Sequence, residues 1–156
     1  TLNETTRAAG LSLGGDDGGM SAQQVSSWLS GYPVRLSYAS GMPAYSPEDN
    51  HPSRLIAREE IDCLVWIDAF GRSSPPSLPA DIPLIYVGHA EQAKRIEAEV
   101  TIPVGTPGIH HKARLVRTDS GVTLPLDRIV RSKLPKLLAV ATRLTTAIAE
   151  LNSAKR

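Results

Sequence analysis

The sequence predicts an α/β domain with a mainly parallel β-sheet. Two short apolar runs, at 61–67 and 83–87, are rich in β-branched and aromatic residues and show little polar alternation. Such runs are typical of strands that are buried on both faces of a parallel sheet. Helical patterns separate the predicted strands, which indicates βαβ units with right-handed crossovers. Because ligands bind at the carboxyl ends of strands in open α/β sheets, we expect any functional site at that edge.

The composition fits one globular domain. A chain of 156 residues is long enough for a single core. Its 17 basic and 16 acidic residues are mixed and give a net charge of +1, which indicates neither a nucleic-acid footprint nor a membrane-surface patch. No apolar run approaches the ~20 residues of a membrane span. The lone Cys63 falls in a predicted strand, where we expect a buried core residue, and it fits a reducing compartment.

The first elements form a strand, a loop and a helix. An apolar alternation at 9–13 predicts a short strand, and the glycine-rich residues 14–19 predict a loop with positive φ angles. Ser21 is the expected N-cap of the next helix, and Gly31 is expected to end it. The apolar face of this helix has i, i+3, i+4 spacing and consists of Val25, Trp28 and Leu29.

The middle of the chain carries the predicted sheet. Before it, the patterns predict a strand at 33–38, a loop at 41–51 and a helix at 54–59 capped by Ser53. The central strand at 61–67 follows. Residues 71–81 contain three prolines and cannot form a regular internal element. After them we expect a strand at 84–87, a mostly polar helix at 91–97 and a strand at 100–104.

A hairpin and a long helix complete the chain. After a loop at 106–111, strands at 113–118 and 122–126 are expected to pair across a turn at 119–121. The last helix spans 132–151, with Pro135 in its first turn. Its apolar residues recur at helical spacing, and we expect this stripe to pack on the sheet of the same domain rather than on a partner: Leu134, Leu137, Leu138, Ala141, Leu144, Ile148 and Leu151.

The residues alone indicate no catalytic constellation. His110 and His111 are adjacent, and neighbours on an extended chain point to opposite sides, so together they would not chelate one metal. The glycine-rich loop lacks the Lys-Ser/Thr of a P-loop, and no G-x-S-x-G elbow occurs. The adjacent carboxylates of Asp16 and Asp17 are poorly arranged for acid–base work across a substrate.

Seven short segments, in their order along nearly the whole chain, resemble a known family. They are 2–7, 28–33, 41–47, 60–62, 102–104, 108–111 and 121–126. Together they are similar to the C-terminal part of the B subunit of formylmethanofuran dehydrogenase, a member of the molybdopterin/tungstopterin oxidoreductases. The resemblance implies a single Rossmann-like domain over 1–156, with a mainly parallel sheet flanked by helices, a β-hairpin and a long C-terminal helix. It also implies a C-terminal fragment of a longer subunit, in keeping with a chain that begins at Thr1 rather than Met.

The resemblance sets expectations for cofactors. The family uses a molybdopterin or tungstopterin guanine dinucleotide, but its metal-ligating and cluster-binding cysteines lie upstream of this domain. We therefore expect no metal ligand and no cofactor in this fragment. The family also has an arginine beside the metal site, where a guanidinium can neutralise a formate-like anion. Gly14 stands at that position here and is followed by Asp16 and Asp17, which disfavours redox formate chemistry.

A glycine in place of the family's arginine fits the bacterial relatives of the family. They belong to the formyltransferase/hydrolase complex of tetrahydromethanopterin-linked one-carbon oxidation, in which another subunit carries the hydrolase chemistry. The resemblance thus implies a cytoplasmic scaffold subunit without catalytic activity of its own, whose partners are the other subunits, with no nucleic acid or membrane. Two other functions stay open: the pterin-dinucleotide-binding domain of an active formylmethanofuran dehydrogenase, and an independent nucleotide-binding domain.

Any cofactor-contacting edge is expected in two loops. The candidates are Asp68, Ser73 and Ser74 after the central strand, Gly108, His110 and His111 in the later loop, and Arg7 as an anion contact. A purely structural role is the alternative for each of them, because loops at strand ends need Gly, Ser and Asp to turn whether or not a ligand is present.

Overall fold

The computed structural model describes residues 5, 7, 18–119 and 121–154. The predicted strand at 9–13, Gly14, Asp16 and Asp17 lie outside them. The helices of the described part are α1 (Gly19–Ser30), α2 (Pro52–Ala57), α3 (Ala90–Ala93) and α4 (Leu137–Ala154). Its strands are β1 (Leu36–Ser37), β2 (Ala44–Tyr45), β3 (Leu64–Asp68), β4 (Leu84–His89), β5 (Val100–Val104), β6 (Ala113–Val116) and β7 (Thr123–Leu126).

Strands β3, β4 and β5 form the predicted parallel sheet. They lie in the order β3-β4-β5, with Ile67 opposite Val87 and Val87 opposite Ile102. Among the described strands, β4 lies between β3 and β5, so the first apolar run is not the middle strand of this part of the sheet. Strand β3 begins only at Leu64, so Cys63 lies just before the strand, and it is half-buried rather than buried as expected. Strand β4 has the more completely apolar run, and it is the strand that pairs with a neighbour on each side, β3 and β5.

The two connections between the parallel strands differ. Residues 69–83 are irregular, as their prolines predicted. Between β4 and β5 the expected helix at 91–97 is reduced to the four residues of α3. The Nδ1 atom of His89 accepts a hydrogen bond from the backbone N–H of Glu91 at 3.3 Å and so caps α3.

The core lies between one face of the sheet and the start of α4. Ala69, Val87, Val104 and Val140 form the buried cluster, and Ile85, Ile102 and Leu137 pack against it. The apolar stripe of α4 therefore packs on its own sheet only at its beginning. Farther along the same helix Leu144, Ile148 and Leu151 are 43%, 57% and 63% exposed.

The last helix begins later than the sequence indicates. Pro135 does not lie in its first turn, as predicted, but before the helix, which starts at Leu137. The reason is a tertiary contact, since the carbonyl oxygen of Pro135 accepts a hydrogen bond from the N–H of Gly105 at 2.8 Å. This bond joins the residue after β5 to the segment that leads into α4.

The caps of α1 and α2 differ from the prediction. Gly18, with φ +85°, is the N-cap of α1, and the hydroxyl of Ser21 instead accepts the N–H of Val116 at 2.9 Å. For α2 the cap is His51, whose Nδ1 accepts the N–H of Ser53 at 3.3 Å, so Ser53 is not the cap. The predicted end of α1 at Gly31 is confirmed, with φ +82°.

Two antiparallel pairs flank the parallel sheet. The predicted hairpin is confirmed in β6 and β7, where Leu115 lies opposite Leu124. The expected strand at 33–38 is reduced to the two residues of β1, and it pairs with β2 inside the predicted loop at 41–51. Stacking of Tyr32 on Tyr45, with ring centroids 5.5 Å apart, holds this region together. None of the helices in the described part of the chain is long and apolar enough to span a membrane.

Candidate functional site

The carboxyl ends of the parallel strands bring two polar loops to one edge of the sheet. Strand β3 ends at Asp68, and β5 ends at Val104, immediately before the loop that contains Gly108, His110 and His111. Because the strands are parallel, both loops leave the same edge. This is the edge at which the sequence predicted a site.

Asp68 organises the first loop. Its side chain is buried, and its Oδ1 accepts the backbone N–H of Gly71 at 2.8 Å while Oδ2 accepts that of Ser73 at 3.2 Å. These two bonds fold the chain back directly after β3, and both carboxylate oxygens have a backbone donor. The geometry therefore assigns Asp68 a structural role in the loop and leaves it poorly placed to act as a free base.

The loop after β3 packs closely against the end of β4. Gly71 has φ +73°, and a Cβ at this position would lie 2.7 Å from Cβ and Cγ of His89. The carbonyl oxygen of Gly71 accepts a hydrogen bond from Nε2 of Gln92 at 3.1 Å. The first loop, the end of β4 and α3 thus form one packed unit.

Tyr86 lies buried beneath this edge. Burial raises the pKa of its hydroxyl group, and the negative charge of Asp68 raises that pKa further. The hydroxyl donates a long hydrogen bond of 3.4 Å to the carbonyl oxygen of Asp68. Tyr86 is therefore a neutral donor that links β4 to β3.

The later loop is held by its two histidines. Nδ1 of His110 accepts the backbone N–H of Thr106 at 2.9 Å, which places the proton of the neutral ring on Nε2. Nε2 of His111 lies 3.1 Å from the carbonyl oxygen of Gly105. Gly108 takes φ +75°, and a Cβ there would lie 2.9 Å from Cδ1 of Leu126. Each of these residues therefore has a local structural partner.

Thr106 is a polar residue at this edge that the sequence reasoning missed. It is 3% exposed, and its Oγ1 has no hydrogen-bond partner among the described residues. A buried hydroxyl without a partner is costly, and in native structures it often marks a site that a water or ligand completes. No sequence signal could have found it, because a threonine in a loop is ordinary and only the packing isolates its hydroxyl.

The structure joins some of the predicted site residues and separates others. Asp68 bonds Ser73, and the later loop holds His110 and His111, but the described contacts connect each group to its own loop. Ser74 lies in the irregular connection between β3 and β4. It lines a groove of about 700 Å³, to which Leu84, the first residue of β4, also contributes. Arg7 is exposed.

The described residues do not supply a metal-ligand set. Among them there is no group of three or more His, Cys, Asp or Glu side chains arranged to hold a metal ion. Cys63, a soft thiolate ligand in principle, precedes β3 and so lies at the opposite end of the strand from the candidate edge. The described residues thus do not form a metal centre among themselves.

Fold and site together define an α/β domain in which a short parallel sheet carries structured polar loops at its carboxyl edge. No protein-family model matches the sequence. The chain is 32% identical over 108 residues to the Fhc B subunit of the formyltransferase/hydrolase complex of Methylorubrum extorquens, covering 69% of this chain and 30% of that protein. It is 23% identical over 113 residues to the B subunit of tungsten-containing formylmethanofuran dehydrogenase 2 of Methanococcus maripaludis, covering 70% of this chain and 26% of that protein.

A solved structure is similar over nearly the whole chain. The fold matches a chain of the crystal structure of the formyltransferase/hydrolase complex FhcABCD of Methylorubrum extorquens, a structure in complex with methylofuran. The TM-score is 0.81 and the identity 27%, over 97% of this chain and 43% of that chain. The domain is therefore a relative of the B subunits of formylmethanofuran dehydrogenases and of the formyltransferase/hydrolase complex, which confirms the resemblance seen in the sequence. It spans about a third or less of the length of the curated relatives.

Proposed function

We propose that this chain is a domain of the B subunit in a formyltransferase/hydrolase-type complex, where it acts as a scaffold without redox chemistry of its own. The complex would process formyl groups to formate in tetrahydromethanopterin-linked one-carbon metabolism, with its other subunits as partners. The observation that carries this proposal is the match to the FhcABCD structure, at a TM-score of 0.81 over 97% of the chain.

The chemistry of the candidate edge supports a scaffold. Both carboxylate oxygens of Asp68 accept backbone N–H groups, and Nδ1 of His110 accepts another. Groups used in this way shape the loops and are not poised for proton transfer. The sequence adds that Gly14 stands where the family places an arginine and that Asp16 and Asp17 follow it with negative charge, which disfavours redox formate chemistry.

One observation favours a second candidate, a pterin-dinucleotide-binding domain of an active formylmethanofuran dehydrogenase. The hydroxyl of Thr106 is buried at the carboxyl edge and has no hydrogen-bond partner among the described residues, as expected of a group that bonds a bound molecule. Asp68, Ser73, Ser74, Gly108, His110, His111 and Arg7 are the contacts proposed for such a ligand. The metal, a molybdenum or tungsten pterin, would then be ligated by residues outside this domain.

Several finer assignments belong to the same proposal. The parallel strands β3, β4 and β5 would be part of a Rossmann-like layer, and residues 1–156 would form one domain in the C-terminal part of the subunit. The assembly would be cytoplasmic. These assignments rest on the family resemblance and on the sequential order of the parallel strands.

Metal and pterin analysis distinguishes the two candidates. The full-length subunit, purified with its native partner subunits, is analysed for molybdenum, tungsten and a pterin guanine dinucleotide, and the same preparation is assayed for formyltransferase/hydrolase activity. The scaffold proposal expects activity with neither metal nor pterin on this subunit. Stoichiometric metal and pterin would overturn it and support the second candidate.

A further inference from the structure

The apolar stripe of α4 extends beyond the core that it helps to form. Val140 is buried against the sheet, and residues four, eight and eleven positions later lie on the same side of the helix. These residues, Leu144, Ile148 and Leu151, are 43%, 57% and 63% exposed. The helix thus presents one continuous apolar side, of which only the first part has a partner within the described part of this domain.

The sheet face under α4 is also only partly covered. Residues opposite each other in a parallel sheet point to the same side, so Val65 and Ile67 of β3 share a face with Ile85 and Val87 of β4. Val87 is buried by the core around Val140, whereas Val65 and Ile67 are 52% and 58% exposed. Parallel sheets are almost always covered on both faces, and the described residues supply only part of that cover here.

A groove of about 670 Å³ lies between β5 and α4 on this side. Its floor is apolar, with Ile102, Val140 and Leu144, and its lining also includes Lys133 and Arg143. Neither cation forms an ion pair with a described residue, and no carboxylate lines the groove. The groove therefore combines an apolar surface with two positive charges that no described carboxylate neutralises.

We propose that this surface docks the remainder of the B subunit, through an apolar segment that carries at least one carboxylate opposite Lys133 and Arg143. We name it the open face and define it by Val65, Ile67, Lys133, Arg143 and Leu144. The inference rests on the proposed function, because it takes the occupant from the part of the B subunit that the relatives have beyond the matched domain.

Length and charge together favour this occupant. The matched domain covers 43% of the similar solved chain, so more than half of a subunit of that kind lies outside it. In the groove of the open face, Leu144 lies beside Val140 of the buried core, as expected of a permanent interface within one subunit, which is more apolar than a transient one. A second copy of this chain meeting the same face would bring Lys133 and Arg143 against their own counterparts, and like charges disfavour such pairing.

Photo-crosslinking in the intact assembly tests the proposal. Leu144 is replaced by a photo-crosslinking phenylalanine analogue in the full-length subunit, and the crosslinked peptide is identified by mass spectrometry. Thr146, which is exposed and about 200° further round the helix, takes the same analogue as the matched control. We expect position 144 to crosslink to a peptide of the B subunit outside this domain and position 146 not to do so.

Every other result overturns the proposal. A crosslink from position 144 to another subunit or to a second copy would assign the open face to a different partner, and equal labelling at both positions would show that the face is free. The experiment is repeated on the full-length subunit without partners, because an interface within one subunit gives the same crosslink there. If the complex assembles but position 144 gives no crosslink within the subunit, this inference fails and the proposed function stands. If the crosslink forms in the isolated subunit but no complex assembles, the proposed function fails and this inference stands.

The charge component has its own test in the same full-length subunit. We expect Arg143→Glu to accelerate amide hydrogen exchange of α4 about tenfold, because the docked carboxylate would then face a like charge. Arg143→Lys keeps the charge, and exchange should stay near the wild-type rate. Equal acceleration in both variants, or in neither, would contradict a carboxylate at this position.

Discussion

Gly88 packs its backbone against the carbonyl group of Asp68 in the neighbouring strand. A Cβ at Gly88 would overlap the carbonyl oxygen of Asp68 and lie 2.5 Å from the hydroxyl oxygen of Tyr86. Gly88 has no positive φ angle, so the requirement for glycine is one of space. The carboxyl edge of the sheet can be this compact only while position 88 has no side chain.

The first prediction concerns this contact. We expect Gly88→Ala to lower the free energy of unfolding by about 1–3 kcal/mol, because the added methyl group must displace β3 backbone or the Tyr86 ring. The measurement is chemical denaturation of the full-length subunit. Gly19→Ala is the control, since no heavy atom of the described residues crowds a Cβ there within 4 Å and alanine is the better helix former. Equal losses in both variants would contradict the steric argument.

The second prediction concerns the carboxylate that folds the first loop. We expect Asp68→Asn to destabilise the protein by about 1–3 kcal/mol, because an amide has one acceptor oxygen for the two N–H groups of Gly71 and Ser73. Amide hydrogen exchange of these two residues should accelerate in the variant. The control is Asp62→Asn at an exposed position, which should change stability by less than about 0.5 kcal/mol. Unchanged exchange at Gly71 and Ser73 would contradict the assigned role.

The sequence predicted the parallel sheet well because its signal is local. Strands that are buried on both faces read as continuous apolar runs, and the two runs at 61–67 and 83–87 supply most of β3 and β4. The hairpin of β6 and β7 was equally predictable from its two strand patterns and the turn between them. Which strand lies in the middle was not predictable, because it depends on pairing between distant segments.

Other features depend on tertiary contacts that leave no local trace. Ser21 has the composition of an N-cap, but its hydroxyl bonds the N–H of Val116, which is 95 residues away in sequence. The stripe of α4 predicted burial along the whole helix, yet a periodic pattern specifies an apolar side without specifying whether the same domain covers it. The candidate loops were located from the strand ends, whereas the isolated hydroxyl of Thr106 follows from packing alone.

The third prediction concerns pH and the hairpin turn. Two hydrogen bonds from Nε and one from Nη2 of Arg117, together with the N–H of Gly121, hold the pKa of Asp119 at about 2, below its ordinary value of 3.8. A carboxyl group whose pKa is lowered by folding contributes stability above its unfolded pKa, and this contribution is lost as the pH falls from 3.8 towards 2. We therefore expect the turn to loosen within this acidic window.

Carboxyl-carbon NMR of labelled aspartate measures this effect directly. The resonance of Asp119 should titrate with a midpoint near 2 in the wild type and move towards 3.8 in Arg117→Gln, which removes the main donor. Arg114→Gln, at an exposed position of β6, is the control and should leave the midpoint unchanged. If the midpoint of Asp119 is the same in the wild type and in Arg117→Gln, the ion pair between Arg117 and Asp119 does not form.

The fourth prediction uses the isolated hydroxyl of Thr106. Thr106→Val keeps the shape of the side chain but removes a buried hydroxyl that bonds no described residue. We expect the free energy of unfolding to rise by about 1 kcal/mol, because the variant no longer desolvates a hydroxyl that gains no bond in return. Thr101→Val, at an exposed position of β5, is the control for the general effect of valine in this region.

The same variant bears on the choice between scaffold and cofactor domain. If the edge is kept only for assembly, Thr106→Val should raise stability and leave the activity of the purified complex unchanged. If a pterin dinucleotide completes the hydroxyl, the variant should instead lower the pterin content of the full-length subunit and reduce its stability when the cofactor is bound. A loss of stability in protein that carries no pterin would show that the hydroxyl already has a partner, and would contradict its description as an unsatisfied group.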